Sequence, residues 1–374
     1  NYPITVFSLG SNSNYVISSN HWNGNLGAVT WINGATGLAL DGTMTISAAS
    51  SLVGSSVGDR VSFRNLSQIA LVQNFLTLGI NNPAGITVLG NGSVIVDSSL
   101  WNGARGAVTW MNGATGLAGT VSAANSMVGS TANDQLGFFI DPHSQIGSLN
   151  LARGGVQVFP GSNNYLIFAP FWDNTATGAT NAGSITLMNG STGLPMSGVL
   201  GAVNASNSLV GTRSDDIIGV ANAEVSGTFH TALSGGATFL ANGKALVISS
   251  SWANGAGAPR AGAITLIDVN NPSAAVGAIT SANSLVGSTT DDRIGAASTT
   301  TRINNGVMYT VFSPLWDNTA TGATNAGAVT IFSMNLTLTG TVGPSNSVVG
   351  SNANDRIGNN NGNSVLNPLS VSKL

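Results

Sequence analysis

Five copies of one motif, five tryptophans in step with them and about four strand-like runs per interval predict an all-β fold. The expected form is a five-bladed β-propeller with one blade of about four antiparallel strands per repeat. The motif reads ANSLVGSTTDDRIG at 282–295. Its other copies are AASSLVGSSVGDRVS (48–62), AANSMVGSTANDQLG (123–137), ASNSLVGTRSDDIIG (205–219) and PSNSVVGSNANDRIG (344–358). The tryptophans are Trp22, Trp101, Trp172, Trp252 and Trp316, spaced by 79, 71, 80 and 64 residues. The motif glycines Gly54, Gly129, Gly211, Gly287 and Gly350 are spaced by 75, 82, 76 and 63. Both anchors mark one period of roughly 74 residues that tolerates insertions. The chain is expected to be a single repeat domain over 1–374, with repeats ending near residues 62, 137, 219, 295 and 358.

Within one interval the strands follow from turn chemistry. ITVLG (86–90) and SVIVDS (93–98) flank Asn91-Gly92, a strong hairpin signal. WNGARG (101–106) is a loop, GAVTWMNG (106–113) is a strand ending at Asn112-Gly113, and TVSAANSMVGS carries the last strand. Val, Ile, Thr and aromatics fill the runs and Gly/Asn the turns. No sustained 3.6-residue pattern appears; Ser67–Leu78 is the best helix candidate, and its FLTLGI equally suits a strand. A β-helix and an array of sandwiches are the rival architectures. Length changes of up to 19 residues between repeats suit blade loops better than rungs, and no Pro-rich or charged linker separates units.

The longest insertions follow the motif, at 63–85, 138–155 and 220–236. The chain opens at ITVF inside a repeat and ends after Gly358 inside another, so the terminal segment is expected to complete the blade begun at residue 4. With neither initiator Met nor signal peptide at Asn1, the chain reads as a mature product or a fragment of something longer.

Composition narrows function mainly by exclusion. Hydrophobic residues make up 42%, enough for a packed core, whereas charged residues are only 7% against about 25% in an ordinary soluble domain. The net charge is −3 with no basic run, which argues against nucleic acid or an anionic membrane as partner. No apolar run reaches the roughly 18 residues of a spanning helix. Zero cysteines exclude disulfides and thiolate metal sites. Only two lysines occur, Lys244 and Lys373.

The unit of apolar run, Trp/Asn loop, GAVT strand and xxLVGSxxxDRxG resembles the FG-GAP-type propeller repeat. It is more similar still to the long repeats of large filamentous-haemagglutinin-like bacterial exoproteins. The resemblance covers essentially the whole chain and implies a propeller and an extracellular or cell-surface location. FG-GAP repeats often carry a DxDxDG calcium loop. The corresponding turns here, LGSNSN (9–14), LGNGS (89–93), PGSNN (160–164), LANGK (240–244) and INNG (303–306), hold no carboxylate, so that metal site does not carry over.

The carboxylates are read structurally. Asp59, Asp134, Asp216, Asp292 and Asp355 repeat, whereas catalysis needs one or two acids singled out by environment. Turn fixing through backbone N–H groups is the expected role. The doublets Asp215-Asp216 and Asp291-Asp292 are the weaker option of a cation site. Glu224 is the single Glu, and His21, His143 and His230 form no metal-ligand pattern, so neither a glycosidase pair nor a triad is expected. The chain is expected to be no enzyme and to need no cofactor or metal.

The loop tryptophans carry the binding hypothesis. The stretch Trp172–Gly183 recurs almost letter for letter at Trp316–Gly327. Exposed rings at Trp172 and Trp316, with Asp173, Asn174, Asp317 and Asn318 as hydrogen-bonding partners, would suit a carbohydrate or another surface molecule. Rings packed between blades would instead mean a scaffold; Trp31 and Trp110, inside strands, are expected to pack. The function expected is thus a non-enzymatic, adhesin-like surface protein that binds a glycan or another surface protein. The alternative is a structural subunit of an extracellular filament or sheath, since low charge leaves little repulsion against self-association.

Overall fold

A computed structural model describes residues 4–10, 13–63, 84–137, 155–225, 228–235, 237–296, 302–303 and 308–359. The helix candidate at 67–78, His143 and the terminal segment expected to complete the first blade lie outside the described residues, as do the side chains of Glu224 and His230. The chain forms two compact units. One comprises Asn1–Ile140, Ala152–Thr175 and Ser184–Ser208; the other comprises Asp141–Leu151, Ala176–Gly183 and Leu209–Leu374.

The architecture is all-β, with five sheets matching the five repeats. In the first repeat Thr5–Ser8, Tyr15–Ser19, Ala28–Ile32 and Ser51–Val53 pair antiparallel in chain order. In the second, Ile86–Val88, Val94–Ser98, Ala107–Met111 and Ser126–Val128 do the same. The first unit also holds Val156–Val158, Tyr165–Ala169 and Ser184–Met188 of the third repeat. The second unit holds Ala237–Phe239, Lys244–Ser249, Ala263–Asp268 and Leu285–Val286, then Arg302–Ile303, Met308–Ser313, Ala328–Ser333 and Ser347–Val349. Among the described residues the strands within each repeat pair antiparallel, unlike the parallel rungs of a β-helix. The insertion after the third motif adds a hairpin, Val220–Val225 with Thr228–Gly235, whose register shifts between Asn222 and Glu224.

Local sequence explains the elements. Gly92 turns the predicted hairpin at φ +79°, a left-handed conformation that glycine adopts without steric cost. The Trp-Asn-Gly loops form one-turn pieces at Trp22–Asn25 and Trp101–Ala104, with Asn23 at φ 48° and Asn102 at φ 49°. Asn tolerates that region better than most residues. The GAVT threonine and the serine opening the closing strand bond across each sheet: Thr30, Thr109, Thr186, Thr265 and Thr330 each lie 2.7 Å from Ser51, Ser126, Ser208, Ser284 and Ser347, oxygen to oxygen. The pairing satisfies polar groups that would otherwise be stranded between sheets.

The stretch before each motif does not stay in its own sheet. Gly119–Thr120 of the second repeat pairs in parallel with the closing strand Ser51–Val53 of the first. Gly277–Ala278 pairs likewise with Leu209–Val210, and Gly340–Thr341 with Leu285–Val286. At the remaining boundary the contact shrinks to one bridge, Val128 with Ala202. Three sheets are therefore finished by a strand from the following repeat, and the second by a single bridge. The next residue is apolar in every case, and Val121, Val203, Ile279 and Val342 are all at most 3% exposed.

The cores lie between successive sheets. In the first unit Leu9, Val16, Val29, Trp31 and Leu52 meet Ile86, Val94, Val96, Met111 and Trp101. In the second, Leu246, Ile264 and Leu285 meet Tyr309, Val311, Phe332 and Trp316. In each of these two pairs the later sheet covers one face of the earlier one. Burying one such aliphatic or aromatic side chain contributes about 1.5–3 kcal/mol.

Candidate functional site: the Trp–Asp loops

The recurring aspartate is the hinge of each boundary. In every repeat one carboxylate oxygen, Oδ2, accepts the backbone N–H groups of the two residues after the motif glycine. For Asp292 these are Ser288 N–H at 2.7 Å and Thr289 N–H at 2.8 Å. Asp59, Asp134, Asp216 and Asp355 repeat the pattern. The other oxygen, Oδ1, reaches into the following repeat. It accepts the N–H of the residue after the loop tryptophan: Asn102 on Asp59 at 2.8 Å, Asp173 on Asp134 at 3.0 Å, Ala253 on Asp216 at 2.9 Å and Asp317 on Asp292 at 2.9 Å. A carboxylate shared by three backbone donors fixes its own loop and holds the next one.

Those four aspartates are buried, at no more than 2% exposure. Burial pushes the Asp216 and Asp292 carboxyls above their ordinary range, against the N–H and hydroxyl donors that pull them down. Asp355 is the exposed member; the Asn352 N–H holds its carboxyl low. The first acid of each doublet is engaged by neighbouring side chains. Asp291 is gripped by the Arg260 guanidinium at 2.6 and 2.7 Å and by Arg293 at 3.1 Å, and these guanidinium bonds, Arg260 foremost, lower its pKa. Asp215 accepts from Asn181 Nδ2 at 3.1 Å. Among the described residues no group of three or more His, Cys, Asp or Glu could hold a metal ion.

The tryptophans sit beneath these loops. Trp101, Trp172, Trp252 and Trp316 are 7%, 2%, 4% and 3% exposed, whereas Trp22 of the first repeat is half-buried. Trp172 Nε1 donates to Ser130 Oγ of the preceding motif at 2.6 Å. Of the six residues named for binding, Trp172, Asp173 and Asn174 belong to the first unit and Trp316, Asp317 and Asn318 to the second. Asp173 Oδ2 accepts from Thr131 Oγ1 at 3.2 Å. Asp317 accepts Thr289 Oγ1 at 3.3 Å and Asn325 N–H at 2.7 Å. Asn174 and Asn318 are each 5% exposed, and Asn318 Nδ2 donates to Gly350 O at 2.8 Å. Trp31 and Trp110 pack as expected, each donating through Nε1 to the turn of the next repeat, at Gly113 O and Gly190 O. His21 bonds Asn25 within its own loop at 2.7 Å.

Asp97 escaped the sequence reading. It lies outside the motif, on a strand, yet is 1% exposed, and its charge adds to the burial that pushes the Tyr165 hydroxyl up. Its signal was a lone acid where the aligned first-repeat position carries Ser18.

Five repeated sheets, four of them tied to the following repeat by a buried carboxylate, define an all-β repeat protein. The chain belongs to the family described as a repeat of unknown function (DUF5650), matched at residues 9–63, 88–138, 161–220, 239–296 and 303–359. No curated protein matches it. Among solved structures it is similar at 10% identity to one titled as the eukaryotic initiation factor, over 94% of this chain and 78% of that one, with a TM-score of 0.25. It is also similar at 10% identity to the tricorn protease, over 89% of this chain and 30% of that one, with a TM-score of 0.22. Likenesses at those scores carry neither fold nor activity to this chain. Among the described residues no helix is long and apolar enough to cross a membrane.

Proposed function

We propose that this chain is a non-enzymatic structural scaffold of an extracellular or cell-surface protein, built from propeller-type blades. The carrying observation is that the Trp–Asp–Asn loops are buried, with backbone N–H groups of Asp173 and Asp317 held by the aspartate of the preceding repeat. Trp172 and Trp316 present almost no ring surface, and Trp172 Nε1 and Asn318 Nδ2 donate within the protein, while Trp316 Nε1 and Asn318 Oδ1 are buried without a hydrogen-bond partner among the described residues. A sugar platform needs an exposed aromatic face. Burial therefore favours the scaffold over the adhesin-like reading, in which those six residues hold a carbohydrate. The five-bladed ring is the finer form of the proposal; it requires the front of the last blade to cover the back of the first. Absence of cysteine, scarcity of lysine and the resemblance to FG-GAP-like exoprotein repeats support the location.

A glycan array with folded wild-type protein tests this reading, alongside Trp172→Ala and Trp316→Ala. The scaffold reading expects no glycan bound by wild type and strong destabilisation of both variants. Specific glycan binding that disappears in a variant of unchanged stability would restore the adhesin reading.

A further inference from the structure

We propose that the repeat joints are graded in strength: the two joints inside the first unit carry a second, tryptophan-built clasp, and the joint inside the second unit, which lacks it, opens first. Under denaturant or load the second unit then yields while the first stays closed.

The third strand of a repeat makes this clasp. In the first unit Ala28–Ile32 and Ala107–Met111 carry Trp31 and Trp110, and each indole reaches the turn after the third strand of the next repeat. Gly113 O accepts Trp31 Nε1 at 2.9 Å and Asn14 Nδ2 at 3.1 Å. Gly190 O accepts Trp110 Nε1 at 3.0 Å and Asn91 Nδ2 at 3.0 Å. Two donors on one carbonyl use both of its lone pairs. The rings lie against bare glycine backbone. A Cβ at Gly116 would stand 2.8 Å from Trp31 Cγ, and one at Gly193 would stand 2.5 Å from Trp110 Cε3. Tryptophan in one repeat therefore requires glycine in the next.

The joint between the fourth and fifth repeats has neither half of this pairing. Leu266 lies opposite Leu246 in the register where Trp31 lies opposite Val16 and Trp110 opposite Ile95. It is buried, but its side chain has no donor. Lys244 aligns with Asn14, and its ammonium pairs with Asp268 of its own hairpin. In the fifth repeat Met334 and Thr337 stand where the second has Gly113 and Gly116. Both sides of the clasp are thus replaced together.

The remaining parts of the joint are closely matched. Asp134 and Asp292 hold the N–H groups of Asp173 and Asp317 at 3.0 and 2.9 Å. Thr131 and Thr289 each bond the carboxylates on both sides of their joint. Strand pairing favours the second unit slightly: Leu285 and Val286 pair with Gly340 and Thr341, whereas Val128 makes one bridge to Ala202. One extra ladder step is outweighed by a packed indole and two buried hydrogen bonds.

This inference does not rest on the scaffold reading, and glycan binding is measured independently of it. Native-state hydrogen exchange over a urea series reads each joint through one equivalent amide. Val121, Val203 and Val342 each donate to the closing strand of the preceding repeat at 3.0 Å. Val342 is expected to open with an equilibrium constant about tenfold or more above those of Val121 and Val203. Trp31→Leu is expected to raise opening at Val121 by about tenfold and leave Val342 unchanged; Trp110→Leu should do the same at Val203. Trp31→Phe keeps a ring but loses the Nε1 donor, so it should fall between wild type and Trp31→Leu, and it reads the joint if the leucine variant fails to fold. Equal opening at the three amides of the wild-type protein would overturn the proposal. So would a Trp31 variant that weakens all three alike, since the clasp would then not be local to its joint.

Discussion

At the scale of single residues, one carboxylate does most to join neighbouring repeats. Removing Asp292 strands the N–H groups of Ser288, Thr289 and Asp317 at a buried site. Asp292→Ala is expected to cost about 3 kcal/mol in urea unfolding, since charge-assisted bonds contribute roughly 1.5–3 kcal/mol each and partly overlap. Asp355→Ala removes the same side chain where it is exposed, and its effect on the dilute monomer should be small. Equal losses at both positions would contradict the clasp. Titration separates the acids further. Asp216 and Asp292 keep their protons to higher pH in the fold than the ~3.9 of a free aspartate. Their contribution to stability is complete below that unfolded value and is lost as pH rises through the raised folded pKa. Asp291 is opposite: its contribution is present above the unfolded value and lost as pH falls through its lowered pKa. Carboxyl-detected NMR should show Asp292 ionising at higher pH than Asp291; the reverse order would refute the assignment.

At the scale of elements, the motif letters become contacts. Gly287 must be glycine because an added Cβ would stand 2.2 Å from Ala261 O. Gly287→Ala is expected to cost about 1–3 kcal/mol or more by overpacking, read as a lowered denaturation midpoint. Trp316→Ala should cost about 3–5 kcal/mol, as for other buried aromatics. Much of this was legible in the sequence. The Asn91-Gly92 hairpin, the GAVT strand and the turn-fixing role of the recurring aspartate follow from local chemistry. The destination of residues 115–125 did not: a short Gly-Thr-Val run looks the same whether it joins its own sheet or the preceding one. The second bond of each aspartate was hidden for a related reason. Its partner lies 25 to 43 residues away in sequence, and that donor is a backbone N–H that leaves no mark on residue type. Nor could the sequence decide whether Trp172 and Trp316 face water, since a platform and a packed ring want the same side chain.

At the scale of the whole molecule, stability is expected to follow nearest-neighbour joints, as in other repeat proteins. The central claim is that each buried aspartate holds the N–H of the next repeat. Native-state hydrogen exchange on the dilute monomer tests it most directly, one amide at a time. The N–H groups of Asn102, Asp173, Ala253 and Asp317 should be strongly protected, while Asn23, aligned with them but with no acceptor for its N–H among the described residues, exchanges near the free-peptide rate. Fast exchange at those four amides, or equal protection at Asn23, would contradict it.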